Sequence, residues 1–190
     1  TLFRYGKVDV QRRKLLNLID EESNLPAQTA DGKSLHIWAN ADTPEEVQKA
    51  INAGCLGVGL YRTESLFLRT NSLPSEDEQY EEYVRMVASS GGKPITIRTL
   101  DLGGDKLLDG WNQEREANPF MGFRAIRYCL SNPKVFLDQL RAILRASAKG
   151  DVRIMLPMIS GIGEVVRAKE LIQQAKEELK IRGEEFDPDI

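Results

Sequence analysis

A chain of 190 residues, 41% hydrophobic and 29% charged, has the size and balance of one domain, or part of one, with a core of its own. Its net charge of -3 and pI near 5.4 argue against a general nucleic-acid binder, which would carry an excess of positive charge. No apolar run approaches the ~20 residues of a membrane span, the basic N-terminus lacks a signal-peptide core, and Cys55 and Cys129 form neither a metal-ligand spacing nor a disulfide framework; a cytoplasmic protein is the expectation.

Residues 1–26 read as a charged helical linker closed by Leu25-Pro26, and Asp31-Gly32 marks a turn. A strand–helix unit then repeats four times. Residues 35–41 read as a short buried strand. Thr43-Pro44-Glu45-Glu46 opens the first helix, with a capping threonine, a proline where its missing N–H costs nothing, and a glutamate at the third helical position. Val47, Ala50 and Ile51 supply its apolar stripe and Gly54 ends it. The second strand spans 57–62, and the capping box Ser75-Glu76-Asp77-Glu78 opens a helix reaching about 89. Gly91-Gly92 breaks the chain before a third strand, 95–100. A long excursion, 103–123, precedes a helix at 125–130 and a longer one from Asn132-Pro133, with Leu137, Leu140, Ile143 and Leu144 on one face. Gly150 ends that helix, and the fourth strand is 152–158. A helix over 163–181 buries Val165, Ala168, Leu171, Ile172, Ala175 and Leu179; Gly183 closes it, and 184–190 is a loop.

Strand–helix alternation with short links means parallel strands joined by right-handed crossovers. Four units fit either an open doubly wound sheet or half of an eight-fold barrel. No G-x-G-x-x-G follows the first strand, and Gly57-Val58-Gly59 lies inside a strand, which weakens a dinucleotide-binding reading. Arg62 and Arg98 stand at the ends of the second and third strands, where βα folds place their chemistry. The planar guanidinium fork suits a phosphate or carboxylate, although spacing alone favours an ion pair with Glu64 or Asp101 for each.

Four motifs carry a family resemblance: Gly57-Val58-Gly59-Leu60-Tyr61-Arg62-Thr63-Glu64, Arg98-Thr99-Leu100-Asp101-Leu102-Gly103-Gly104-Asp105-Lys106, Asn118-Pro119-Phe120-Met121-Gly122-Phe123-Arg124-Ala125-Ile126-Arg127, and Gln139-Leu140-Arg141-Ala142-Ile143-Leu144-Arg145-Ala146-Ser147. In this order they resemble the phosphoenolpyruvate-utilising enzymes, and among these the enzyme I-type phosphotransferases of the sugar or nitrogen branch. The resemblance runs from about Leu35 to the end. It implies an α/β fold: a partial TIM (β/α)8 barrel, roughly its first four βα units over 27–190, behind the linker 1–26. It implies phosphoenolpyruvate as substrate, magnesium as cofactor, a homodimeric parent, and phosphoryl transfer to a histidine on a separate N-terminal domain and on to a phosphocarrier protein. Arg62 and Arg98 match the arginines that grip the substrate phosphate, and Arg124 matches a third. The family's metal ligands and its proton-donating cysteine match nothing in this sequence. The expectation is therefore a piece of a longer transferase, with no catalytic or metal-binding residue of its own and inactive alone. The competing reading is a stand-alone half barrel that binds a phosphorylated metabolite or a partner protein without catalysis.

The remaining candidates carry weaker expectations. Asp101 is a candidate to orient Arg98, Gly103-Gly104-Asp105-Lys106 to close as a turn over the ligand with Lys106 near it, and Asn118 to support the site. His36, the sole histidine, reads as structural at the start of the first strand; Cys55 and Cys129 read as packing residues. The five acids between Glu76 and Glu82, and the run Glu177-Glu178-Leu179-Lys180, read as solvated helix faces.

Overall fold

The computed structural model describes residues 27–69, 73–102 and 122–190. The expected linker 1–26 lies outside the described residues, as do Lys106, Asn118 and the Gly103-Gly104 turn. Four strands, β1 (Ala39–Ala41), β2 (Val58–Arg62), β3 (Ile95–Arg98) and β4 (Val152–Met155), form one sheet in the order β1-β2-β3-β4, every pair parallel. Six helices accompany them among the described residues: α1 (Pro44–Asn52), α2 (Glu64–Arg69), α3 (Glu76–Ser89), α4 (Ala125–Ser131), α5 (Pro133–Ser147) and α6 (Ile162–Arg182).

The helix starts follow the sequence closely. Thr43 accepts the backbone N–H of Glu46 at the head of α1, and Ser75 and Glu78 close a reciprocal capping box on α3. Gly183 ends α6 in the left-handed region at φ 71°, where a side chain would be strained. The short α2 follows Arg62 directly and was not expected: Glu64-Ser65-Leu66-Phe67 has no cap signature and is too short for a helical period to show.

One face of the sheet carries Val58, Tyr61, Ile95, Ile97 and Val152, which pack with Val47 of α1, Tyr83, Met86 and Val87 of α3, and Ala142, Ile143 and Ala146 of α5. A second cluster joins Leu100 and Leu102 to Phe136, Leu140 and Leu144 of α5 and to Ala168, Leu171, Ala175 and Leu179 of α6. Burying each of the valine, leucine, isoleucine, methionine and phenylalanine side chains among these stabilises by about 1.5–3 kcal/mol before entropy is counted. On the other face Trp38 crosses Gly59 of β2 and Gly57, which precedes that strand. A Cβ on Gly57 would meet its ring at 2.6 Å, and the Arg153 guanidinium lies 5.7 Å from the ring centre.

The first strand departs from expectation. It pairs only from Ala39, and Leu35, Ile37 and Trp38 are 50%, 48% and 37% exposed. Among the described residues β1 has one neighbour, β2, so nothing covers its outer side. His36 precedes the strand and is exposed; it is not a packed histidine. The fourth strand stops at Met155, shortly before Pro157, which has no N–H to give a ladder.

Candidate functional site

Arg62 and Arg98 are register partners at the C-terminal ends of neighbouring parallel strands. Arg124 joins them from the residue before α4. The three side chains line one cavity of about 220 Å³, together with Asp42, Glu64 and Asp101 and with Ser65 and Leu68. Each arginine has a carboxylate. Arg62 Nε donates to Asp42 at the end of β1. Arg98 reaches Glu64 at 2.8 Å and Asp101 at 3.0 Å. Arg124 reaches Asp101 at 3.0 Å and also donates to the Asp101 carbonyl at 3.2 Å.

Part of this was legible. Asp101 does pair with Arg98, and it also holds Arg124. Glu64, the nearest acid to Arg62 in the expected pairing, turns to Arg98 instead. Asp42 was missed: it lies 20 residues from Arg62, and only the parallel pairing of β1 with β2 brings the two together.

A buried polar network fixes the two strand ends. Gln139 of α5 is 1% exposed. Its Oε1 accepts the Leu100 N–H at 2.8 Å, and its Nε2 donates to Tyr83 Oη at 3.2 Å and to Thr63 Oγ1 at 3.4 Å. Thr63 Oγ1 donates in turn to the Arg98 carbonyl at 3.1 Å. The residue after Arg62 is therefore tied to the backbone of Arg98, and both are tied to α5. Satisfied networks of this kind rigidify what they hold. Sequence reasoning missed Gln139 as a support, although it heads one of the quoted motifs. Ala125, next to Arg124, sits in the left-handed region at φ 52° with its N–H on the Leu102 carbonyl at 3.2 Å. Such strain costs on the order of 1–3 kcal/mol and persists where packing enforces it; Ala125 is fully buried.

The cysteines stand apart from the cavity. Burial, followed by the nearby Asp101 charge, pushes the Cys129 thiol up to about 12, so it stays protonated and unreactive near neutral pH. Cys55 is half-buried, and its carbonyl accepts from Lys93 Nζ at 2.6 Å. Of the acids of α3, Asp77, Glu78 and Glu81 are exposed as expected, but Glu76 and Glu82 are drawn inward. Glu82 is 2% exposed and meets Tyr61, Arg69 and Arg85, while Glu76 faces three arginines. Apart from Arg85, one turn along the same helix, those partners are distant in sequence, and they draw the two carboxylates inward.

Parallel strands in sequence order, helices packed on one face and a cavity lined by arginines and carboxylates at the strand ends define the class: an α/β protein with a charged cavity at the C-terminal edge of its sheet. The chain belongs to the family of PEP-utilising enzymes, PEP-binding domain, which matches residues 17–190. It is similar to the phosphoenolpyruvate-protein phosphotransferases of Staphylococcus aureus, 44% identical over 162 residues, and of Cupriavidus necator, 48% identical over 166 residues. These alignments cover 85% and 86% of this chain and 28% of each relative. The Staphylococcus carnosus protein of the same name is 43% identical over 179 residues, covering 94% of this chain and 30% of its own length. The chain thus spans under a third of the length of these curated relatives.

Proposed function

We propose that this chain supplies the phosphate-gripping half of the phosphoenolpyruvate site of an enzyme I-type phosphotransferase. The observation that carries the reading is the in-register pair Arg62 and Arg98, with Arg124 beside them on the same cavity. Phosphoryl transfer depends on positioning and on neutralising the charge of the moving group, and arginines on a rigid sheet edge supply both. Residues 27–190 are read as the first half of an eight-stranded βα barrel, and residues 1–26 as a helical linker. Four parallel strands in sequence order, with helices on one face, support this.

In the whole enzyme the phosphoryl group would pass to a histidine on another domain and then to a phosphocarrier protein, within a cytoplasmic homodimer. No helix among the described residues is long and apolar enough to cross a membrane. The family's magnesium finds no fitting donor set here. Asp42, Glu64 and Asp101 are each engaged by an arginine, and no group of three or more metal-ligating side chains comes together among the described residues. No step is therefore assigned through the metal. The stand-alone binding module is the less favoured reading, because the match to the enzyme family covers nearly the whole chain.

Calorimetric titration with phosphoenolpyruvate, with and without magnesium, tests the proposal. The expected result is weak binding, indifferent to magnesium and lost in Arg98→Ala. Binding that survives Arg98→Ala, or that requires magnesium, contradicts it.

A further inference from the structure

Among the described residues three arginines face three carboxylates across the cavity, so this part of its lining is formally balanced. The carboxylates are not held alike. Asp101 is shared by Arg98 and Arg124 at 3.0 Å from each, and its side chain is 13% exposed. Glu64 lies 2.8 Å from Arg98 and is 11% exposed. Among the described residues Asp42 meets Arg62 alone, and that pair is open: the side chains are 36% and 46% exposed. The Asp42 backbone is fixed independently. Its N–H donates to the Glu46 carboxylate at 2.8 Å, and its carbonyl accepts from the Ser65 hydroxyl at 3.0 Å. The carboxylate can therefore leave Arg62 for solvent without moving the chain or the α1 cap, whereas Glu64 and Asp101 have far less solvent to turn to.

We infer that Asp42 sets the anion affinity of this site: its carboxylate competes with an incoming phosphate for the Arg62 guanidinium and yields to it. The inference rests on the reading of the cavity as a phosphate site. An anion placed beside Arg62 meets a second negative charge there, and only one of the two can use the Nε–H that Asp42 holds. An exposed ion pair is weak, so a ligand can displace it. For the same reason, removing the competitor strengthens binding only about two- to five-fold.

The test compares the 190-residue chain with its Asp42→Asn variant, using inorganic phosphate and phosphoenolpyruvate as probes. Affinity is read by calorimetry, and Arg62 is followed through its Nε–H signal by NMR. Asparagine keeps the size of the side chain and the backbone contacts, so the far-ultraviolet spectra should coincide. The expected result is a two- to five-fold lower Kd in the variant for both probes. Its Arg62 signal should start away from the wild-type position, and ligand should bring the two together. If wild type binds and the variant binds equally or more weakly, the inference is overturned while the phosphate-site reading stands; Asp42 then positions Arg62 instead of opposing its ligand. If neither chain binds either probe, both fall.

Discussion

Two groups of three arginines use the same chemistry in this chain to different ends. Arg62, Arg98 and Arg124 share three carboxylates around a cavity. Arg141, Arg145 and Arg182 lie between α3, α5 and α6 and meet five: Glu76, Asp77, Asp138, Glu178 and Glu184. Glu76 alone receives all three, at 2.6, 3.0 and 3.0 Å, and Arg145 also stacks on Tyr80 at 4.1 Å. The Arg141 side chain is 9% exposed, against 46% for Arg62. An arginine surrounded by acids and packed between helices has no fork left to offer and serves stability. An arginine balanced one for one beside open space can exchange its partner for a ligand. All of these arginines but Arg182 fall within the quoted motifs, so membership in a motif does not separate the two groups; saturation with acids does.

The largest expected effect lies in the helix group. Arg141→Met strips the central cation from Glu76, Asp138 and Glu178. Breaking a largely buried pair from one side costs several kcal/mol, and the partial exposure of these acids reduces this to about 2–3 kcal/mol. Urea denaturation measures it, and a loss under 0.5 kcal/mol would erase the distinction drawn here. Next is Gln139→Leu, which leaves the Leu100 N–H without its acceptor and should cost about 1–3 kcal/mol by the same measurement. This variant should also weaken phosphate binding, because it releases the strand ends that carry Arg62 and Arg98.

A pH titration sharpens the contrast at smaller amplitude. Burial alone would raise the Glu76 pKa, but Arg141 and Arg182 outweigh it and hold the carboxyl below its ordinary value of 4.5. A carboxylate with a lowered folded-state pKa contributes stability that is present above the unfolded value and lost as pH falls through the folded one. Stability from the helix group should therefore persist down to about pH 4.5 and decline below it, and Glu76→Gln should flatten that decline. The smallest expected change in stability is for Arg62→Ala: under about 1 kcal/mol, since its pair with Asp42 is half exposed, yet with a clear loss of phosphate binding.

What the sequence revealed was largely local. Caps at Thr43 and Ser75 and breaks at Gly54, Gly150 and Gly183 announce themselves within four residues, so the strand–helix alternation was readable. Partnership across the fold was not. Arg62 and Asp42 are 20 residues apart, Arg141 and Glu76 are 65, and Arg182 and Glu76 are 106. For that reason Glu76 and Glu82 looked like part of a solvated face, and the competitor at Arg62 went unseen. The exposed stretch Leu35 to Trp38 was misjudged for a related reason: apolar composition signals burial only when a neighbour covers it.

The most direct measurement is a crystal structure of this chain with phosphoenolpyruvate. The account expects the phosphate between Arg62, Arg98 and Arg124, with the Asp42 side chain turned away from Arg62 and the Arg141 group unchanged. A ligand bound elsewhere, or seated in the cavity without contact to Arg62 and Arg98, would contradict it.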